Sequence, residues 1–269
     1  MAVVPDESFE PARHVAKPDE LAGRIIAVTG AGDGIGKAVA LACVRYGAQV
    51  ILIGRTVRKL EAVHAESELI RPDAASIAPL DLEKAVASNY DELATAIETR
   101  YGRLDGLLHN AALLGTLTPI EHQDVQTWMR VMHVNVTAPF ILTQTLLPAL
   151  RRSADASILF TTSTVGRKAR AYWGAYAVSK FAVEGLSQLL ADELERPPQI
   201  RVNALNPGRT RTMMRRQAYP AENIETLPLP EEKVPAYLAL LGPAGRGVTG
   251  RSFDCDISDS ISGSVSGRK

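Results

Sequence analysis

Six short apolar runs, at residues 24–28, 49–53, 75–80, 104–108, 157–160 and 200–204, constrain this chain more than any other feature. Between them lie stretches long enough for helices, predicted at 34–46, 57–70, 86–101, 124–151 and 174–195. Strands spaced this way cannot meet through hairpins, because a tight turn joins only antiparallel neighbours. Helical crossovers join parallel strands, so the chain is predicted to build one α/β domain, a doubly wound parallel sheet with helices on both faces. A run at 251–254 adds an edge strand, making about seven in all. The expected order is 3-2-1-4-5-6, and ligands of such sheets gather at the carboxyl ends of the strands.

Composition sets limits on what else the chain can be. Its 269 residues suffice for one substantial core, and the 46% apolar and 22% charged shares are ordinary for a globular protein. Formal net charge is zero, which gives no global field toward nucleic acid or an anionic membrane. The longest apolar run of the first half, Ala38 to Val44, falls far short of the roughly 18 residues of a membrane span. The first 17 residues lack the apolar stretch of a secretory signal. Cys43 and Cys255 are too far apart for a compact disulfide or zinc pattern, and the five histidines show no metal-ligand spacing, so no metal is expected. The expectation is a cytoplasmic protein with two reduced thiols. Residues 1–22, broken by Pro5, Pro11 and Pro18, read as an extended arm. Residues 23–256 form the domain, with 210–248 irregular and suited to shaping a substrate pocket, and the Ser/Gly-rich 257–269 read as a flexible tail.

Every chemically suggestive motif falls at a strand end. The first strand runs into Thr29-Gly30-Ala31-Gly32-Asp33-Gly34-Ile35-Gly36 and then an Ala-rich helix. Glycines let a backbone approach a phosphate closely, and a helix N-terminus offers it free N–H groups and a positive dipole end. This is the start of a Rossmann-type nucleotide site, although the spacing Gly30-x-x-x-Gly34-x-Gly36 differs from G-x-G-x-x-G. Further on, Tyr176 and Lys180 are four residues apart in a predicted helix and share one face. A phenol ionises near ~10, too high for acid-base exchange at neutral pH. An ammonium at about 4 Å, with an effective dielectric near 20, contributes roughly 4 kcal/mol, which would bring Tyr176 to about 7. Ser163, at the end of the fifth strand, would face this pair and hold a carbonyl oxygen. In the long helix at 124–151, Pro139 is expected to cause a bend or a broken bond near Asn135.

Thr29-Gly30-x-x-x-Gly34-Ile35-Gly36, Asn110-Ala111, Asn135, Ser163, Tyr176-x-x-x-Lys180 and Asn206-Pro207-Gly208 occur in that order. Together they resemble the single-domain short-chain dehydrogenase/reductase family over about residues 22 to 256. Trp173-Gly174-Ala175-Tyr176 and the segment from Asn206 to Thr212 resemble its bacterial YciK-like branch. The resemblance implies Tyr176 as acid/base, Lys180 lowering its pKa and binding the nicotinamide ribose, Ser163 on the substrate oxygen, and Asn135 holding a water that links Lys180 to solvent. It implies cofactor contacts from Gly30, Gly32, Asp33, Gly34, Ile35, Asn110, Ala111, Pro207, Gly208 and Thr210. Asp81 would take the adenine amine, Leu82 would pack beside the ring, and Thr212 would hold the carboxamide or a phosphate, its other reading being a helix N-cap. Two positions depart from the pattern: His109-Asn110-Ala111-Ala112 replaces Asn-Asn-Ala-Gly, and Asp254-Cys255-Asp256 replaces a terminal Asp-Gly-Gly.

The second strand ends at Gly54-Arg55, without the acid that NAD-specific sites use to hold both ribose hydroxyls. Arg55 can clamp a 2′-phosphate bidentately, so NADP(H) is expected, with NAD(H) as the alternative and Asp33 as the residue that speaks for it. The expected activity is hydride transfer between nicotinamide and a small-molecule carbonyl or alcohol, and the competing class is a non-catalytic dinucleotide-binding sensor or scaffold. Arg167, Lys168, Arg170, Arg209, Arg211, Arg215 and Arg216 flank the presumed substrate mouth. They suit either an anionic substrate, including an acyl group on an acidic carrier, or a solvated basic rim. The helices at 124–151 and 174–195 resemble those through which the family forms homodimers and homotetramers, so a homo-oligomer is expected.

Overall fold

The computed structural model describes residues 8–196 and 200–256. The predicted flexible tail at 257–269 lies outside the described residues. Seven strands form one parallel sheet in the order β3-β2-β1-β4-β5-β6-β7. They are β1 (Ile25–Thr29), β2 (Gln49–Gly54), β3 (Ala75–Pro79), β4 (Gly106–His109), β5 (Ala156–Thr161), β6 (Ile200–Asn206) and β7 (Ser252–Asp254). The connecting helices are α1 (Gly34–Arg45), α2 (Val57–Ile70), α3 (Ala87–Tyr101), α4 (Val125–Met132), α5 (Ala138–Arg151), α6 (Gly174–Glu193), α7 (Met213–Ala218) and α8 (Val234–Leu241).

Strand alternation divides the core into two layers. Ile26 and Val28 point to one face, where they pack with Val39 and Cys43 of α1, Leu60 of α2 and Tyr237 of α8. Ile25 and Ala27 point to the other, against Tyr90 of α3, Leu142 of α5 and Val183 of α6. Each fully buried Leu or Ile contributes on the order of 1.5–3 kcal/mol, so a slip of one residue, which would turn every strand side chain to the wrong face, is strongly disfavoured. The same register aligns the strand ends. Val28 lies opposite both Leu52 and Leu108, so Thr29, Gly54 and His109 finish along one edge. That edge is where the switch in chain direction between β1 and β4 leaves a crevice.

One expectation changes. The long helix predicted at 124–151 is three pieces, with a π-helical turn at His133–Thr137 between α4 and α5. Pro139 has no N–H for the Asn135 carbonyl, and the wider turn accommodates that loss. The described part of the expected N-terminal arm, from residue 8 on, packs against the domain. Pro11 and Leu21 are buried, Phe9 meets Phe253 edge-on at 5.9 Å, and the Leu21 N–H donates to the Tyr46 carbonyl at 2.8 Å. Pro11 opens a single 3-10 turn, Pro11–Arg13, and the Phe9 and Leu21 side chains cover the β7 edge and α8. No helix among the described residues is long and apolar enough to cross a membrane.

Candidate active site

A cavity of about 500 Å³ runs along the carboxyl ends of the strands, from Arg55 and Leu82 at one end to Tyr176 and Met214 at the other. Its floor is the glycine turn. Gly30 has φ +67°, a left-handed conformation that an L side chain adopts only under strain, and a Cβ on Gly36 would land on the Gly30 carbonyl oxygen. Asp33 caps α1 by accepting from the Gly34 N–H at 2.8 Å and pairs with Lys59 Nζ at 2.5 Å. The Lys59 contact, first, and the cap hold its carboxyl below the usual range. The acid that argued for NAD(H) is thus already matched by a cation.

The neighbouring strand is tied to this turn. Thr29 Oγ1 donates to the Leu108 carbonyl at 3.1 Å and accepts from the N–H groups of Asn110 at 2.9 Å and Ala111 at 3.1 Å. The Asn110 amide donates back to the Thr29 carbonyl at 3.3 Å. Arg55 is exposed at the cavity rim, close enough to Glu83 to lower its carboxyl, after the larger effect of Arg130. Asp81 and the buried Leu82 line the same end. Across the cavity, Pro207, Gly208, Thr210 and Thr212 form the opposite lip. Thr212 caps α7, accepting from the Arg215 N–H at 3.1 Å, which leaves its hydroxyl proton for a ligand.

Asp254-Cys255-Asp256 takes over the bracing of this lip. Asp254 accepts from the Asn206 amide at 2.7 Å and from Arg167 at 2.6 Å, the Cys255 N–H donates to the Asn206 carbonyl at 2.9 Å, and Asp256 pairs with the buried Lys233 at 2.5 Å. Ala112 also lines the cavity.

Tyr176 and Lys180 lie on one face of α6, both buried, and the Ser163 hydroxyl lies near the Tyr176 phenol on the same cavity wall. The lysine does not tune the phenol as the sequence suggests. Its Nζ donates to the Thr161 carbonyl at 2.7 Å and lies 5.6 Å from the centre of the Tyr176 ring. Burial pushes Tyr176 up to about 12, against the smaller lowering effect of Ser163, and pushes Lys180 down to about 8. The ammonium has therefore lost its charge long before the phenol ionises. The expected value near 7 assumed a half-solvated pair, whereas desolvation dominates here.

The Asn135 side chain is fully engaged within the protein. Its amide accepts from the Leu113 N–H at 2.7 Å and donates to the Leu113 carbonyl and to Ser179 Oγ, both at 2.9 Å. Ser179 donates in turn to the Tyr176 carbonyl at 2.7 Å. The side chain therefore fastens the loop after β4 to the helix that carries the phenol, and a water would have to use the backbone carbonyl instead. Ser179 and Thr161 are functional neighbours that motif reading missed. Ser179 stands beside Lys180 in the sequence and could have been noticed; Thr161 acts through its carbonyl, which no side-chain pattern reveals.

The glycine cradle, the α1 N-terminus and the cavity's size fit a dinucleotide, and with the Ser-Tyr-Lys set they define a single-domain oxidoreductase of the Rossmann type. The family model for short chain dehydrogenases matches residues 24–223, and the chain belongs to that family. It is 50% identical over 240 residues to the uncharacterized oxidoreductase YciK of Escherichia coli, covering 88% of this chain and 94% of that protein. A short chain dehydrogenase from Shigella flexneri complexed with NADP superimposes with a TM-score of 0.86 at 48% identity, over 89% of this chain and 99% of that one. One from Escherichia coli complexed with NADPH gives 0.87 at 48% identity, over 90% of this chain and 100% of that one.

Proposed function

We propose that this protein is an NADP(H)-dependent oxidoreductase that moves hydride between nicotinamide and a carbonyl or alcohol carbon, with Tyr176 as the acid/base. The observation that carries the reading is that Ser163, Tyr176 and Lys180 line one cavity, with the Ser163 hydroxyl near enough to the phenol to lower it and the Lys180 nitrogen 5.6 Å from the centre of the Tyr176 ring. Two hydroxyls converging on one point can hold and polarise a single carbonyl oxygen. A phenol pushed up to about 12 is protonated at neutral pH, the state required to give a proton to a forming alkoxide.

Bound NADP(H) would supply or accept the hydride. Gly30, Gly34 and the α1 N-terminus would hold the pyrophosphate, Asp81 and Leu82 the adenine, Lys180 the nicotinamide ribose, and Thr212 the carboxamide. Arg55, with no acid at the end of β2, supports the 2′-phosphate, as do the NADP and NADPH complexes of the two relatives. Exposed Phe140 on α5 and Val178, Phe181 and Leu189 on α6 support a homo-oligomer.

The test is a panel of carbonyl compounds with NADPH, comparing wild type with Tyr176→Phe. A loss of about 10²–10⁴ in kcat with NADPH binding retained is the expected result. Undiminished turnover by the variant would remove Tyr176 from the chemistry.

A further inference from the structure

The part of the cavity beyond Tyr176 carries information about the substrate that the motifs do not. Its wall is Trp173, Leu114, Met214 and Ala218, which pack with the buried face of Tyr176. The Trp173 ring lies 5.7 Å from that of Tyr176 and 5.8 Å from that of Tyr219, tilted to both. The chain bends sharply to place it there. Tyr172, just before, has φ +74°, a conformation that costs about 1–3 kcal/mol for a bulky residue, and its carbonyl is held by the Thr118 N–H at 3.0 Å.

Of the seven basic residues that flank the mouth in sequence, only Arg215 lines the cavity. Its Nε and Nη2 each donate to the Glu222 carboxylate at 2.6 Å, and its guanidinium lies 3.7 Å over the Tyr219 ring. Three of the others are matched too, outside the cavity: Arg170 to the Tyr219 hydroxyl at 2.6 Å, Arg211 to Glu225 at 2.6 Å, and Arg167 to Glu184 at 3.2 Å and Asp254 at 2.6 Å. Lys168, Arg209 and Arg216 are exposed. An anionic substrate would have to displace a bidentate carboxylate from Arg215 to gain a partner of equal strength, so it gains little. An uncharged ring gains the area of an aromatic wall and a stacking contribution of about 0.5–1.5 kcal/mol, and Met214 can adjust to its outline.

Resting on the reaction proposed above, we infer that the substrate is an uncharged carbonyl compound bearing a flat apolar ring, which lies against Trp173. In the reductive direction the carbonyl π bond breaks and its carbon takes the hydride, with both electrons, from NADPH. Its oxygen takes the Tyr176 proton, which solvent replaces.

Matched aldehydes decide the matter. 4-Methylbenzaldehyde and 4-carboxybenzaldehyde, reduced by the full chain with NADPH, are expected to differ in kcat/KM by at least about tenfold in favour of the neutral one. Trp173→Ala should raise KM for the neutral aldehyde about tenfold with a smaller change in kcat, and Trp173→Phe should restore most of it. Glu222→Gln, which releases Arg215, should improve kcat/KM for the carboxylated aldehyde alone. Preference for the carboxylated compound, or no change of KM in Trp173→Ala, overturns the inference while leaving the oxidoreductase reading intact. Absence of turnover with every carbonyl removes that reading instead. Binding then still discriminates, because Trp128 and Trp173 are the two tryptophans. In Trp128→Phe, quenching of Trp173 emission by the neutral aldehyde but not by the carboxylated one supports the inference, and the reverse or no quenching overturns it.

Discussion

The Lys180 ammonium donates to the last carbonyl of β5, that of Thr161, at 2.7 Å, and its neighbour one helical turn back gains no charge stabilisation from it. With the lysine at about 8 and the phenol at about 12, the two never carry opposite charges in the same pH range. The chain without added nucleotide should therefore show no Tyr176 phenolate between pH 7 and 10 in the ultraviolet difference between wild type and Tyr176→Phe. Lys180→Met should leave that range unchanged. An ionisation near pH 7 that disappears in Lys180→Met would restore direct tuning by the lysine.

His109 stands where the family resemblance puts asparagine, and it is buried against Phe160 with ring centres 4.7 Å apart and Nε2 2.8 Å from Thr143 Oγ1. Burial lowers its pKa to about 3. The unfolded histidine takes a proton near 6.5 while the folded one stays neutral, so stability falls as pH drops from about 6.5 toward 3. Within that window the residue contributes at most about 1.4 kcal/mol of loss per pH unit. Urea midpoints of His109→Asn should decline more slowly between pH 6 and pH 4 than those of wild type.

Asn135→Ala removes both partners of the Leu113 backbone groups together with the Ser179 contact, at a site only 2% exposed. The expected cost is about 2–4 kcal/mol in urea unfolding. Asn135→Asp should cost at least as much at neutral pH, because it keeps one acceptor, loses both donations and buries a charge. Wild-type stability in the alanine variant would mean that the loop after β4 is held by other contacts.

Arg55→Ala should raise KM for NADPH by about 10–100-fold, the range of one or two lost charge-assisted hydrogen bonds, and leave KM for NADH unchanged. The choice of cofactor rests on a separate measurement in wild type. A KM for NADH at or below that for NADPH would overturn it, and Asp33, freed from Lys59, would become the residue to examine.

Much of the molecule was legible along the chain. Alternating strand and helix periods dictate parallel pairing, and the seven strands lie in the expected order with β7 at the edge. The glycine turn was readable because Gly30 and Gly36 answer to backbone geometry, which is local. The interruption near Asn135 followed from the missing N–H of Pro139. All of these depend on neighbours within a few residues or on a repeating period.

What spacing could not express is what each group meets across the fold. The order in which Tyr176 and Lys180 ionise is set by how deeply α6 is buried, and burial is a property of the packed whole. The charge available at the substrate mouth is set by Glu222 and Glu225 folding back onto Arg215 and Arg211. Residues 8–22 belong to a stretch that reads as an extended arm until α8 and β7 supply a surface for Phe9 and Leu21. Periodicity and chain geometry act over short distances and so are written in the sequence; desolvation and charge pairing act through space, and only the tertiary structure decides them.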